Sequence, residues 1–233
     1  MAAIPSTFAL CLACVLVPLS ASASATAFGA ASPGVPDVPP SPQVRQVAQW
    51  ALASGDARGR HLVLVDKRQA RAFVLDPQGR TLGSAPVLLG LARGDHTVPG
   101  IGERPLSQVR PEERTTPAGR FIAEAGRNHQ GEDIVWVDYA AAVSMHRVRA
   151  KVKAERRLER LASATPADNR ISYGCINVPV AFYERVLVPA VRAGAVVYVL
   201  PEVRSLSDVF GAGVERMATP QASRPPVGPA GRV

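Results

Sequence analysis

Apolar positions are distributed in distinct regimes along the chain. From Phe8 to Leu19 they form a nearly unbroken run that leads into the small residues Ser20 to Ala25. After Ser41-Pro42, the residues Val44, Val47, Ala48, Ala51 and Leu52 recur at helical spacing until Gly55. This pattern predicts an amphipathic helix within residues 41–57, capped by a serine and opened by a first-turn proline. From His61 onward the pattern becomes short runs of Val, Leu, Ile and Phe between turn residues, at 61–65, 71–75, 86–90, 119–124, 134–138 and 195–200, which predicts strands. Asp76-Pro77-Gln78-Gly79 places proline at the second turn position and predicts a hairpin into a further strand near Thr81. Strands this short and this regularly spaced predict a mainly β fold, a sandwich or partly closed barrel with a few peripheral helices. One of those helices is expected from Pro179 to about Ala193, interrupted at Pro189 and stopped by Gly194.

Length then bounds the organisation. Of 233 residues, 1–24 read as a signal peptide, because the apolar run is too short to span a bilayer and Ala-x-Ala sites follow it. No Lys or Arg precedes that run, so the terminal amine alone supplies the positive n-region. A lipoprotein reading, with Cys14 acylated after Leu12-Ala13, fits less well because Cys11 stands where a leucine is expected. Export to the periplasm or cell wall is the expectation. Residues 25–40, rich in Pro, Gly, Ala and Ser, read as a flexible linker. A single domain is expected over 58–204, and a disordered tail over 205–233.

The formal net charge is +8, and residues 1–24 carry no charged side chain, so all of it belongs to the rest of the chain. For an exported protein the matching polyanion is the anionic cell wall or membrane lipid. Nucleic acid is a poor fit: aromatic residues make up 5% of the chain, and neither a phosphate-binding glycine loop nor zinc-finger spacing occurs. Residues 147–160 concentrate seven Lys or Arg against Glu155 and Glu159, with Val148, Val152 and Leu158 interleaved. This segment is expected to be a basic amphipathic helix or an ordered loop, acting either as a solvated face or as a lid and anionic-polymer contact.

Once the leader is removed, Cys175 is the sole cysteine, in Ser172-Tyr173-Gly174-Cys175-Ile176-Asn177. An unpaired thiol in an oxidising compartment is either a small buried hydrophobe or a nucleophile. The nucleophile needs a base to form the thiolate. Of His61, His96, His129 and His146, the first opens a core strand and the next two sit in polar loops, which leaves His146. Gly174 permits a tight turn, from which the N–H groups of Tyr173, Gly174 and Cys175 are candidate oxyanion donors. Asn177 is expected to orient that turn, hold a substrate amide, or cap the helix after Pro179.

These residues, together with Thr116-Pro117-Ala118-Gly119-Arg120-Phe121 upstream, resemble the catalytic domain of the L,D-transpeptidase (YkuD-type) family, from about His61 to Glu202. The family carries an upstream His, a Ser-His-Gly-Cys core and a Thr-Pro-x-Gly-x-Phe strand entry. Here Tyr173 replaces the usual His, and the gap from His146 to Cys175 is long. The resemblance implies a β-sandwich-like fold and two-step acyl transfer on peptidoglycan stem peptides. In that scheme Cys175 is the nucleophile and His146 the base, Arg147 orients His146 through its backbone carbonyl, Ser172 shapes the turn, and Tyr173 and Asn177 face substrate. No metal or organic cofactor is implied. Two alternatives stay open: hydrolysis of the same stems as an L,D-carboxypeptidase or endopeptidase, and non-catalytic wall binding.

Overall fold

The computed structural model describes residues 38–217. The expected signal peptide and most of the expected linker lie outside the described residues. The elements run α1 (Pro42–Ala53), β1 (His61–Asp66), β2 (Arg71–Leu75), β3 (Thr81–Pro86), β4 (Leu89–Gly90), β5 (Gly119–Ile122), β6 (Glu124–Arg127), β7 (Asp133–Asp138), β8 (Val143–Arg147), α2 (Arg157–Ala162), β9 (Arg170–Ser172), β10 (Ile176–Val178), α3 (Val180–Phe182), α4 (Val188–Arg192), β11 (Ala195–Val199) and α5 (Leu206–Phe210). One sheet has the order β3-β2-β1-β11-β5 and a second the order β10-β8-β7-β6, while β4 and β9 form a short parallel pair. The fold is thus mainly β, a sandwich with helices at its periphery.

Alternation within the strands builds the layers. Val63, Val65, Ala72, Val74, Val197 and Val199 of the first sheet meet Val135, Val137, Met145, Ile176 and Val178 of the second in one core. The opposite face of the first sheet offers Leu62, Leu64, Phe73, Val196 and Tyr198 to Val44, Val47 and Ala51 of α1 in another. Covered on both faces, β1, β2 and β11 are buried at nearly every position, which is why they read as continuous apolar runs rather than alternating ones. The helix α1 begins where its cap predicts, with the Ser41 hydroxyl accepting from the Val44 N–H at 3.2 Å.

Several expectations are corrected. The tail expected from 205 is folded as far as 217: Ser205 caps α5, Leu206 and Val214 are buried, and Val214 O accepts from Gln46 Nε2 at 3.0 Å. Phe210 packs on Trp50 of α1, with ring centroids 6.1 Å apart, so this segment completes the second core. The strand expected over 86–90 is cut short to Leu89–Gly90. Pro189 does not break its helix, because a wide π turn over Tyr183–Leu187 joins α3 to α4. A π turn changes the register of the backbone bonds just where the proline lacks its N–H.

Candidate active site

The outward face of the second sheet brings the candidate residues together. In β8, Val143 and Met145 point into the core while Ser144 and His146 lie on the other face, as strand alternation requires. Strand β10 runs parallel to β8 with Ile176 opposite Met145 and Asn177 opposite His146. That register sets Cys175 beside Ser144, whose Oγ lies 3.6 Å from the Cys175 Sγ. Sγ is also 3.6 Å from the Ala142 carbonyl oxygen. Ala142 has φ +53°, a left-handed conformation uncommon for a residue with a Cβ.

His146 pairs with the thiol and is fixed from behind. Its Nδ1 lies 2.8 Å from the Arg147 carbonyl oxygen. A carbonyl only accepts, so Nδ1 carries the proton and Nε2 is left to take one. Burial disfavours charge on both groups, yet each stabilises the other's ionised form. Against burial, the hydrogen bond and positive charge of His146, followed by the Ser144 N–H and hydroxyl, pull the Cys175 pKa down. Against burial, Cys175 and the Arg147 carbonyl lift that of His146. Both shifts favour a thiolate–imidazolium pair. The remaining histidines lie elsewhere: His61 at the start of β1, His96 and His129 exposed.

The turn from Ser172 to Cys175 is built from residues the sequence singled out. The Ser172 hydroxyl donates to the Cys175 carbonyl at 2.6 Å and accepts from the Gly174 N–H at 3.1 Å. That last bond corrects one expectation: the Gly174 N–H is engaged in the turn and is not free for an oxyanion, whereas the Cys175 and Tyr173 N–H groups bond to no other described residue. Gly174 has φ +132°, and a Cβ there would come 2.8 Å from the Thr115 carbonyl, so backbone approach and conformation both demand glycine. Asn177 is buried; its Nδ2 donates to the Cys175 carbonyl at 3.3 Å and its Oδ1 accepts from Arg157 Nη1 at 2.8 Å. Its side chain is committed to orienting the turn, which corrects the substrate-amide expectation. Tyr173 is exposed, and its ring lies under the Arg114 guanidinium, 4.0 Å from the centroid.

A buried cluster the sequence reading missed supports this turn from behind. Lys67 Nζ donates to Asp95 Oδ1 at 2.7 Å, to the Gly94 carbonyl at 2.6 Å and to the Thr116 carbonyl at 2.8 Å. Thr116 Oγ1 then donates to the Gly174 carbonyl at 2.8 Å and accepts from the Gly90 N–H at 2.9 Å. Arg170, two residues before Ser172, pairs with Glu202 at 2.6 Å. Burial raises Asp95, but Lys67 and the N–H groups of Glu202, Val203 and Arg204 bring it down to about 2.

On the other side of His146 a cavity of about 590 Å³ is lined by Arg127, Glu132, Asp133, Arg147, Arg149 and Arg192. Arg147 pairs with Asp133 at 2.9 Å and Glu184 at 3.0 Å, and Arg149 pairs with Glu132. The segment expected as an amphipathic helix or ordered loop is a loop with one 3-10 turn at Lys153–Glu155 that leads into the short helix α2, with Arg157 turned inward to Asn177.

No protein-family model and no curated protein matches the sequence. Solved structures do match. They include the L,D-transpeptidase from Mycobacterium smegmatis, which is 17% identical and covers 62% of this chain and 59% of that one, with a TM-score of 0.35. The catalytic domain of the E. faecium L,D-transpeptidase is 18% identical, covering 61% of this chain and 98% of that one, with a TM-score of 0.37. The helical cell shape determining protein Pgp2 from Campylobacter jejuni is 15% identical, covering 68% of this chain and 57% of that one, with a TM-score of 0.40. The chain thus spans less than two thirds of the M. smegmatis and C. jejuni chains.

Proposed function

We propose that this protein is an exported, cysteine-dependent L,D-transpeptidase that acts on peptidoglycan stem peptides in the periplasm or cell wall. The observation that carries the reading is the Cys175–His146 pair with Nδ1–H held on the Arg147 carbonyl. A merely structural thiol needs neither a base at Sγ nor a fixed tautomer.

In the reaction this reading implies, His146 Nε2 takes the thiol proton and the thiolate attacks the carbonyl carbon at the L-centre of the stem's diamino acid. The carbonyl oxygen gains the negative charge within reach of the unengaged Cys175 N–H. As the C–N bond breaks, the imidazolium returns the proton to the departing terminal D-amino acid, leaving a thioester. The amine of a second stem then attacks the thioester, gives its proton to His146 and releases the cross-linked product and the thiolate. The basic cavity beside His146 suits the carboxylates of such stems.

Mass spectrometry of muropeptides, after incubation of stem tetrapeptides with the protein lacking residues 1–24, tests this directly. The expected products are cross-linked stems that disappear with Cys175→Ala. Trimmed stems without cross-links would replace transfer by hydrolysis, and full activity in Cys175→Ala would overturn the enzyme reading altogether.

A further inference from the structure

The register of the second sheet places more than the nucleophile on its outward face. Ile176 lies opposite Met145, which puts Cys175 level with Ser144; Ser144 is opposite Trp136, and Trp136 is opposite Glu124. Residues directly opposite in a sheet share a face, so Cys175, Ser144, Trp136 and Glu124 form one row across β10, β8, β7 and β6. Two strand spacings separate Cys175 from Trp136, about 10 Å.

At the far end of that row is a second cavity, of about 290 Å³, lined by Phe121, Ile122, Glu124, Trp136, Asp138 and Tyr139. Tyr139 is 77% exposed and stands edge-on to Trp136, with ring centroids 5.0 Å apart and planes at 63°. The indole lies over a missing side chain: a Cβ on Gly126 would come 2.6 Å from Trp136 Cδ1 and Nε1. Asp138 gives one carboxylate oxygen to the Ala141 N–H at 3.1 Å, and Glu124 pairs with no cation among the described residues. The turn that carries Tyr139 also ends at the Ala142 carbonyl facing Sγ, so this cavity and the nucleophile share one short piece of backbone.

Aromatic faces beside unpaired carboxylates bind cations, and on a chain of net charge +8 this pocket is acidic. We propose that it is an ammonium-binding subsite, which holds the free side-chain amine of the diamino-acid residue whose carbonyl Cys175 attacks. The inference rests on the transpeptidase reading for the identity of that residue. Its length fits: an extended diamino-acid side chain carries its nitrogen about 8 Å from the carbonyl carbon, at roughly 1.5 Å per C–C bond. The basic cavity on the His146 side repels the same group, so charge alone orients the donor along the row.

Titration of the protein with a stem tetrapeptide bearing a free side-chain amine, and with the same peptide N-acetylated there, is followed by the Trp136 indole N–H resonance. The free amine is expected to bind about tenfold more tightly, the scale of an exposed cation–π contact with a carboxylate beside it. Glu124→Gln and Tyr139→Ala, both at exposed positions, are each expected to narrow that ratio toward unity. Equal affinity of the two peptides for the unaltered protein overturns the inference. So does a preference that survives in both variants, since the amine is then read elsewhere. A preference lost in the variants from a protein that forms no thioester supports the subsite and removes the transpeptidase reading.

Discussion

Two arginine- and lysine-bearing regions flank the Cys175 turn, and they use charge in opposite ways. Behind the turn, Lys67, Asp95, Arg170 and Glu202 are all buried or nearly so, and each charge has a partner within 2.7 Å. In front of it, Arg149, Arg156, Arg157 and Arg160 also find carboxylates or carbonyls, but most do so in contact with water. Ion pairs in water contribute little, whereas a buried charge robbed of its partner is costly. Pairing is therefore similar in the two regions and dependence on pairing is not. The buried region connects to the turn from Lys67 through Thr116 to the Gly174 carbonyl, whereas in the exposed region Arg157 reaches it, through Asn177 to the Cys175 carbonyl.

The sharpest way to break the comparison is Asp95→Asn. It leaves the buried Lys67 ammonium with Glu202, 3.8 Å away and already paired with Arg170, as its remaining counter-charge, and weakens the acceptor for three backbone N–H groups. A loss of about 3–5 kcal/mol in denaturant-induced unfolding is expected. A loss below 1 kcal/mol would place this network among the surface pairs.

Thr116→Val tests the path rather than the charges. It keeps the shape but strands the Gly90 N–H and frees the Gly174 carbonyl. A cost of about 2–3 kcal/mol is expected from the unsatisfied buried group, together with altered alkylation kinetics of Cys175. Thr116→Ser restores both hydrogen bonds and is expected to recover the alkylation rate. If Thr116→Val leaves the thiol's reactivity unchanged, the network supports the fold without positioning Cys175.

The buried region was also the least legible in the sequence, for a physical reason. Lys67 and Asp95 are 28 positions apart and carry no local pattern, so only tertiary closure reveals them. Elements governed by local rules were readable: the Ser41-Pro42 start of α1, the apolar runs of β1 and β2, and the Asp76-Pro77-Gln78-Gly79 turn whose Gly79 takes φ +84°. Cys175 and His146 were legible from chemistry and from the resemblance, although the strand that carries His146 was not. Val143 to Arg147 does alternate, but its five residues are hidden between a run of small residues and the basic segment. The folded segment after 205 had a readable signal in its Ser205–Asp208 capping box, with Leu206, Phe210 and Val214 spaced by four; the Pro- and Gly-rich composition around it masked that signal. The row from Cys175 to Glu124 depends on strand register, which no single segment encodes.

Acid sharpens the contrast between the regions. The folded-state pKa of Asp95 is depressed from 3.8 to about 2, so its carboxylate stabilises the fold above the unfolded value. That contribution is lost as pH falls from about 4 through about 2, a change on the order of 2 kcal/mol. Stability measured against pH is expected to drop across this window, and the drop is expected to flatten in Asp95→Asn. An equal drop in both proteins would assign the acid limb to other carboxylates.

The smallest effect belongs to the exposed region and separates its members from one another. Arg156 is exposed and pairs with Glu159 three residues on, so Arg156→Gln is expected to leave the unfolding midpoint unchanged. Arg157, though next to it, is mostly buried and holds Asn177, which in turn holds the Cys175 carbonyl. Arg157→Gln is expected to cost about 1.5 kcal/mol, as a lost charge-assisted hydrogen bond, and to change the rate of Cys175 alkylation. For Arg156 the relevant readout is adhesion: pelleting with purified sacculi is expected to weaken in Arg156→Gln, by less at high salt where the attraction is already screened. If pelleting and its salt dependence match those of the unaltered protein, Arg156 belongs to a solvated face. If Arg157→Gln proves as silent as Arg156→Gln, the division between buried and exposed charge fails at the residue placed on its boundary.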